Sequence, residues 1–308
     1  MRIIEGLQAL SPSYFKNPSV TIGVFDGFHL GHRRVIESLV EEARLLRGES
    51  IVLTFKSHPK SVLRGSPPAQ IMSLPHRLLY FERAGISSCI VMEFDRTLAV
   101  MSAQEFVEDV LIKRIGVKSL VLGFDSSFGR NGEGTADFVA RVYPQVAVVR
   151  CAKVEVDGVV PSSSLIRRPI IGGRLDEAKR LLGHSVSLYG EVVKGRGRGR
   201  ALGFPTANII PDNEALPPSG VYASRVLLGS GESFGSIANV GVRPTFSENT
   251  PLVVEVHIFD FSRCIYGEKI EVEILKFIRE ECRFKSSEEL ISQIHSDIRA
   301  AKRILVKE

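Results

Sequence analysis

Near residue 183 the spacing of apolar residues changes in kind, and one layer architecture cannot accommodate both patterns. Before it, short apolar or β-branched runs alternate with helix-like segments: "SVTIGVF" (19–25), "SIVLTF" (50–55), "SCIVMEF" (88–94), "KSLVLGF" (118–124) and "QVAVVR" (145–150). Each run is bounded by turn or charged residues, the pattern of parallel strands covered on both faces. Between them, 32–47 places Val35, Ile36, Leu39, Val40 and Ala43 on one helical face, and 102–115 opens with Ser102 and Glu105 in capping-box spacing. The βαβα rhythm predicts an α/β, doubly wound sheet. A polar helix at 174–184, ended by Gly183, closes this part.

From 185 to 278 only strand-like runs follow: "SVSLYGEVVK", "PTANII", "GVYASRVLL", "SFGSIANV", "LVVEVHIFDF" and "EKIEVEILKFI", separated by Gly, Pro, Asn and Ser clusters. They predict a small antiparallel β-barrel. The last segment has a second capping-box spacing at Ser286 and Glu289 and a stripe of Leu290, Ile294, Ile298 and Leu305, so a C-terminal helix is expected against that barrel. The expected domains are 1–183 and 184–308.

With 308 residues and 44% hydrophobic content, the chain can fill two ordinary cores. No apolar run approaches the roughly 20 residues of a membrane helix, and "MRIIEGLQAL" lacks the pattern of a secretion signal, so a cytoplasmic protein with no membrane partner is expected. Cys89, Cys151, Cys264 and Cys282 are far apart and suggest neither a zinc cluster nor a disulfide framework. A net charge of +5 suits an anionic ligand without being a nucleic-acid-binding composition.

Two stretches carry chemistry. "GVFDGFHLGH" (23–32) stands between the first strand-like run and its helix, where free N–H groups attract anions. Its glycines let the backbone approach a bulky polyanion, and His29 and His32, three apart, can both face phosphate oxygens. A lone histidine there would read as an ordinary surface or core residue; two in a glycine frame favour phosphate. "GEVVKGRGRGRALGFPTAN" (190–208) joins a flexible cationic loop to a turn stiffened by Pro205. Read alone, "GRGRGR" fits a solvated hairpin tip or an RNA-binding patch. Thr206 and Asn208 place two hard oxygens on one face of a strand, which suits Mg²⁺, although beside proline such residues more often serve turns.

The first stretch resembles the HxGH signature of the nucleotidyltransferase superfamily. Its longer form, GxFDGxHxGH, is similar to the adenylyltransferase half of the bacterial bifunctional riboflavin kinase/FAD synthetases. "TFKSHP" (54–59), "FDRTLAVMSAQEFV" (94–107), "GFDSSFG" (123–129) and "SSSLIR" (162–167) resemble further motifs of that family in order. "GRALGFPTAN" is similar to its kinase signature, and "SGVYA" (219–223), "NVGVRPTF" (239–246), "EVHIFDF" (255–261), "YGE" (266–268), "FIRE" (277–280) and "QIHSD" (293–297) continue the likeness, so that it covers nearly the whole chain.

The resemblance implies an enzyme that makes FMN from riboflavin and ATP, then FAD from FMN and a second ATP. It implies a first nucleotide site at Gly23, Phe25, Asp26, His29 and His32, closed by Ser163, Ser164 and Arg167. His29, His32, Arg167 and Glu255 are the implied catalytic groups, Glu255 being the base for the ribityl 5′-hydroxyl. Gly195, Gly199, Arg200, Thr206 and Asn208 are implied to hold the second ATP, with Thr206 and Asn208 on Mg²⁺. Flavin contacts are implied at Phe55, His58, Pro59, Asp125 and Phe128 in one half and at Glu255 and Arg279 in the other. On spacing alone Glu255 reads as an exposed strand glutamate. Ser126-Ser127 stands where the family has Phe-Arg, and Ser164 where it has Thr, which keeps the hydroxyl.

Two rival functions fit parts of the sequence. One is an HxGH nucleotidyltransferase for another phosphorylated small molecule. The other is a nucleic-acid-binding module using Arg196, Arg198 and Arg200, with no ATP turnover and steep salt dependence. The chain lacks GxxxxGK[ST] and GxGxxG, which argues against a P-loop kinase or a dinucleotide-dependent oxidoreductase.

Overall fold

A computed structural model of the chain describes residues 1–195, 197–242 and 252–307. Arg196 and residues 243–246 of the "NVGVRPTF" run lie outside the described residues, as does the side chain of Arg198. The chain divides into two compact units, Met1–Pro68 with Leu74–Ser163, and Ala69–Ser73 with Ser164–Glu308.

The first unit is built on six parallel strands: β1 (Arg2–Glu5), β2 (Ser19–Ile22), β3 (Ser50–Phe55), β4 (Ser88–Met92), β5 (Ser119–Leu122) and β6 (Ala147–Arg150), in the order β1-β4-β3-β2-β5-β6. Every residue of β3, β4 and β5 is buried, which is why these runs show no polar alternation. Five strands fall on the five predicted runs. β1 is additional; it is an edge strand, largely exposed, and its four residues carry no periodic signal. Chain direction across the sheet reverses between β2 and β5, so the crevice at their carboxyl ends is the place where such a sheet receives a ligand.

Helices cover the sheet. Leu30–Leu45 buries Val35, Ile36, Leu39 and Ala43 as predicted. The Ser102 hydroxyl and the Glu105 carboxylate form the reciprocal capping box, after which the chain continues as a π-helix over Phe106–Ile115. Leu74–Arg83 was not expected, because Pro75, His76 and Arg77 interrupt its apolar face; the structure buries His76, Arg77 and Phe81 there.

The second unit contains a closed antiparallel barrel of β7 (Val186–Val193), β8 (Ala207–Pro211), β9 (Gly220–Leu227), β10 (Ser233–Val242), β11 (Leu252–Ile258) and β12 (Lys269–Arg279), in the order β10-β11-β8-β7-β12-β9. Closure removes the unpaired edges that an open sheet would expose. Residues 164–183 belong to this unit and include the helices Ser163–Ile171 (from Ser164) and Leu175–Leu182. The last helix, Ser287–Leu305, lays Ile294, Ile298 and Leu305 against Ala223, Ile237 and Phe259. Its cap differs from the expected box: Ser286 Oγ accepts from the Glu289 N–H at 3.3 Å, but the Glu289 carboxylate takes the Lys285 N–H.

Candidate active sites

The HxGH turn leaves β2 through backbone that few side chains tolerate. Phe25, Gly27 and Phe28 have φ of 56°, 83° and 42°, the left-handed region. His29, extended at φ −66° and ψ 170°, is the N-cap of Leu30–Leu45, and its Nδ1 accepts from the His32 N–H at 3.4 Å. The two imidazoles stack with centroids 3.6 Å apart and 22° between planes. Gly31 permits that stack, since a Cβ there would sit 3.2 Å from Cε1 and Nδ1 of His29. Gly23 makes room in the same way for the Phe25 ring, which packs nearly perpendicular to His32 with centroids 5.3 Å apart.

His32 Nδ1 is buried with no hydrogen-bond partner among the described residues. Burial first, then His29 and Arg77, hold this imidazole well below its ordinary pKa of 6.5, so it is neutral at pH 7. A neutral ring meets phosphate through its dipole rather than through a full charge.

Arg77 belongs to no motif of the sequence. It is 2% exposed, and its Nη1 donates to the Val24 carbonyl at 2.6 Å and to Thr54 Oγ1 at 2.9 Å, while Nη2 donates to the Phe55 carbonyl at 3.2 Å. One guanidinium thus ties the carboxyl ends of β2 and β3 together beneath the histidines. An arginine on the buried face of a helix was the available signal, and it was hidden because the helix itself was not foreseen.

Ser163 reaches the turn, donating from Oγ to the Asp26 carbonyl at 2.8 Å; the Asp26 side chain is buried. Ser164 and Arg167 belong to the second unit, where Arg167 Nε donates to the Ala69 carbonyl. Beyond β5, the Ser126 N–H donates to the Gly123 carbonyl at 3.2 Å, and Ser126 Oγ lies over Gly123 where a Cβ would come within 2.8 Å. Asp125 is part of the same turn. Phe55 and Phe128 are core residues of the first unit, each 8% exposed, packed on Phe94 and Phe106 respectively. His58 caps the short helix Pro59–Arg64, accepting from the Lys60 N–H at 3.1 Å, with Pro59 as its first residue.

The barrel site depends on strand register. Asn208 on β8 pairs with Glu255 on β11, and Glu255 pairs with Asn239 on β10. Directly paired residues share a sheet face, so the three side chains form one row. Asn208 is 5% exposed and Glu255 is exposed. The glycine-rich loop explains itself here: a Cβ on Gly195 would collide with the Asn208 amide, and one on Gly199 would collide with the Phe204 carbonyl and stand 3.3 Å from Thr206 Oγ1. Glycine lets the loop lie directly on the two oxygen-bearing side chains. Arg198–Ala201, with Arg200, forms a short helical turn.

Thr206 lines two cavities. One, of about 340 Å³, is walled by Arg200, Pro205, Phe261, Arg263 and Tyr266; the other, of about 290 Å³, by Phe204, Asn239, Glu255, Arg279 and Asp297. Arg279 is clamped by Asp297, with Nε 3.0 Å and Nη2 2.9 Å from Oδ2, so it faces the second cavity already paired. Among the described residues no group of three or more His, Cys, Asp or Glu could hold a metal ion. A cation there would draw on Thr206 and Asn208 oxygens together with phosphates.

The FAD synthetase family model matches residues 11–165 and the riboflavin kinase family model residues 182–305. The chain is 38% identical to a bifunctional riboflavin kinase/FMN adenylyltransferase of Haemophilus influenzae, over 98% of both chains. It is 35% identical to the Escherichia coli K12 protein of that description, over 96% of both. A crystal structure described as a macrolide-efflux protein from Streptococcus pneumoniae superposes with a TM-score of 0.82 at 30% identity, covering 98% of this chain and 99% of that one. Among the described residues no helix is long and apolar enough to cross a membrane. With both catalytic modules matched in order and full-length relatives above 30% identity, the chain belongs to the bifunctional riboflavin kinase/FMN adenylyltransferase family.

Proposed function

We propose that the two reactions are divided between the two sites: residues 184–308 phosphorylate riboflavin to FMN, and residues 1–183 adenylylate FMN to FAD. The observation that carries the kinase half is the position of Thr206, shared by two cavities of the barrel, so that a nucleotide in one would meet an acceptor hydroxyl in the other. Glu255, on that second cavity, orients the ribityl 5′-hydroxyl or takes its proton as the oxygen attacks the γ-phosphorus, with ADP leaving. Thr206 and Asn208 are the residues that would hold Mg²⁺; their side-chain oxygens are hard donors that suit a cation shared with phosphate oxygens. When bound, the ion neutralises charge on the transferring phosphates.

In the first site an FMN phosphate oxygen attacks the α-phosphorus of ATP, and the bond to pyrophosphate breaks. His29, His32 and the N–H groups opening Leu30–Leu45 stabilise the charge on the phosphate chain, while Arg77 fixes the strand ends beneath them. Ser163, bonded to the Asp26 carbonyl, supports the same turn. We place Asp125, His58, Pro59 and the edges of Phe55 and Phe128 about the flavin here, and Arg279 beside it in the kinase site. The enzyme acts on small molecules in the cytoplasm; its loop arginines serve phosphate rather than nucleic acid.

The test is a time course of purified protein with riboflavin, ATP and Mg²⁺, the flavins being resolved chromatographically. FMN should rise first and FAD follow. FMN without FAD would mean that the Ser126-Ser127 turn does not support the second reaction, and absence of FMN would overturn the kinase assignment.

A further inference from the structure

Asn239 sits in the kinase row directly across from Glu255, yet neither phosphate binding nor proton transfer gives it a task. Its Nδ2 donates to Glu281 Oε1 at 2.9 Å. Because a carboxylate only accepts, that bond fixes which way the amide points. Oδ1 is thereby turned away from Glu281, and it is buried without a hydrogen-bond partner among the described residues. Asn239, Glu281 and Glu255 all line the 290 Å³ cavity. An orphaned acceptor is costly to keep in a binding cavity unless a bound molecule supplies the missing donor. Riboflavin offers such donors in the hydroxyls of its ribityl chain, which must lie close to Glu255 if the terminal one is to react there.

We propose that Asn239 is a substrate-positioning residue of the kinase site: its Oδ1 accepts a hydrogen bond from a ribityl hydroxyl, with Glu281 holding the amide in register. This rests on the kinase reading above. A site built to accept from a hydroxyl discriminates strongly against an analogue that lacks it, since the buried acceptor is then left unpaired.

The experiment compares wild type, Asn239→Ala and Glu281→Gln for the KM of riboflavin, the KM of ATP, and use of 2′-, 3′- and 4′-deoxyriboflavin. Conversion of FMN to FAD by the same preparation reports that the chain has folded. Asn239→Ala should raise the riboflavin KM about tenfold or more and leave the ATP KM within about twofold. Wild type should reject one deoxy analogue more than the others, and Asn239→Ala should lose that preference. Glu281→Gln should move both readouts in the same direction by less. An unchanged riboflavin KM, or the same ranking of analogues in variant and wild type, overturns the proposal. Should Asn239→Ala lose FMN adenylylation as well, the Glu281→Gln result decides: a raised riboflavin KM supports the proposal and an unchanged one overturns it. A wild type that makes no FMN would instead remove the kinase reading.

Discussion

The two sites are assembled by opposite means. The HxGH turn takes both its imidazoles from ten consecutive residues, and its geometry is enforced by burial: a helix cap, left-handed backbone, stacked imidazoles and a guanidinium beneath them. The proposed kinase site takes Asn208, Glu255 and Asn239 from three strands, and nothing in the chain brings them together except barrel register. The first arrangement draws its histidines from neighbouring residues and its support from a distant arginine. The second is only as good as the pairing of its strands, and its loop is shaped by the absence of side chains.

The sharpest test of this contrast is to disable each site separately. Asn208→Ala should lower riboflavin phosphorylation by about 100-fold or more while sparing FMN adenylylation, and His32→Ala should lower adenylylation by about 100-fold while sparing the kinase, both measured by initial rates. A variant that stays folded and loses both reactions would show that the sites are not separate.

Arg77→Met probes how much the first site owes to its buried support. It orphans the carbonyls of Val24 and Phe55 and should cost about 3 kcal/mol, seen as a lower midpoint in chemical denaturation. Gly195→Ala asks the matching question of the barrel. By pushing the loop off the Asn208 amide it should reduce kinase kcat about tenfold with the adenylylation rate unchanged.

The smallest effect concerns pH. His32 has a folded pKa below its unfolded value of 6.5, so in the window between the two the unfolded chain binds the extra proton. Stability is therefore lost as pH falls below about 6.5 and is fully present above it. His32→Asn should flatten the dependence of stability on pH between 7.5 and 5.5, measured by denaturant titration; an unchanged slope would show that His32 does not carry it.

Much of the architecture could be read from pattern. Apolar runs at 50–55 and 88–92 are strands because every residue in them is buried, and the Ser102–Glu105 spacing is a real reciprocal cap. The similar spacing at Ser286 and Glu289 makes only half of one, because the Glu289 side chain finds the Lys285 N–H instead. Strand β1 was invisible because four largely exposed residues show no period, and Leu74–Arg83 because an arginine occupies its inner face. The glycines of "GRGRGR" looked like flexibility; at Gly195 and Gly199 they are close approaches.

Amino-acid order alone therefore settled the two architectures and the histidine turn, since helix and strand periods and a cap three residues long are properties of neighbouring residues. Tertiary structure decided the rest. It put Arg77 under the turn, kept His32 neutral and aligned Asn239 with Glu255, because burial and strand register are set by residues far away in the chain.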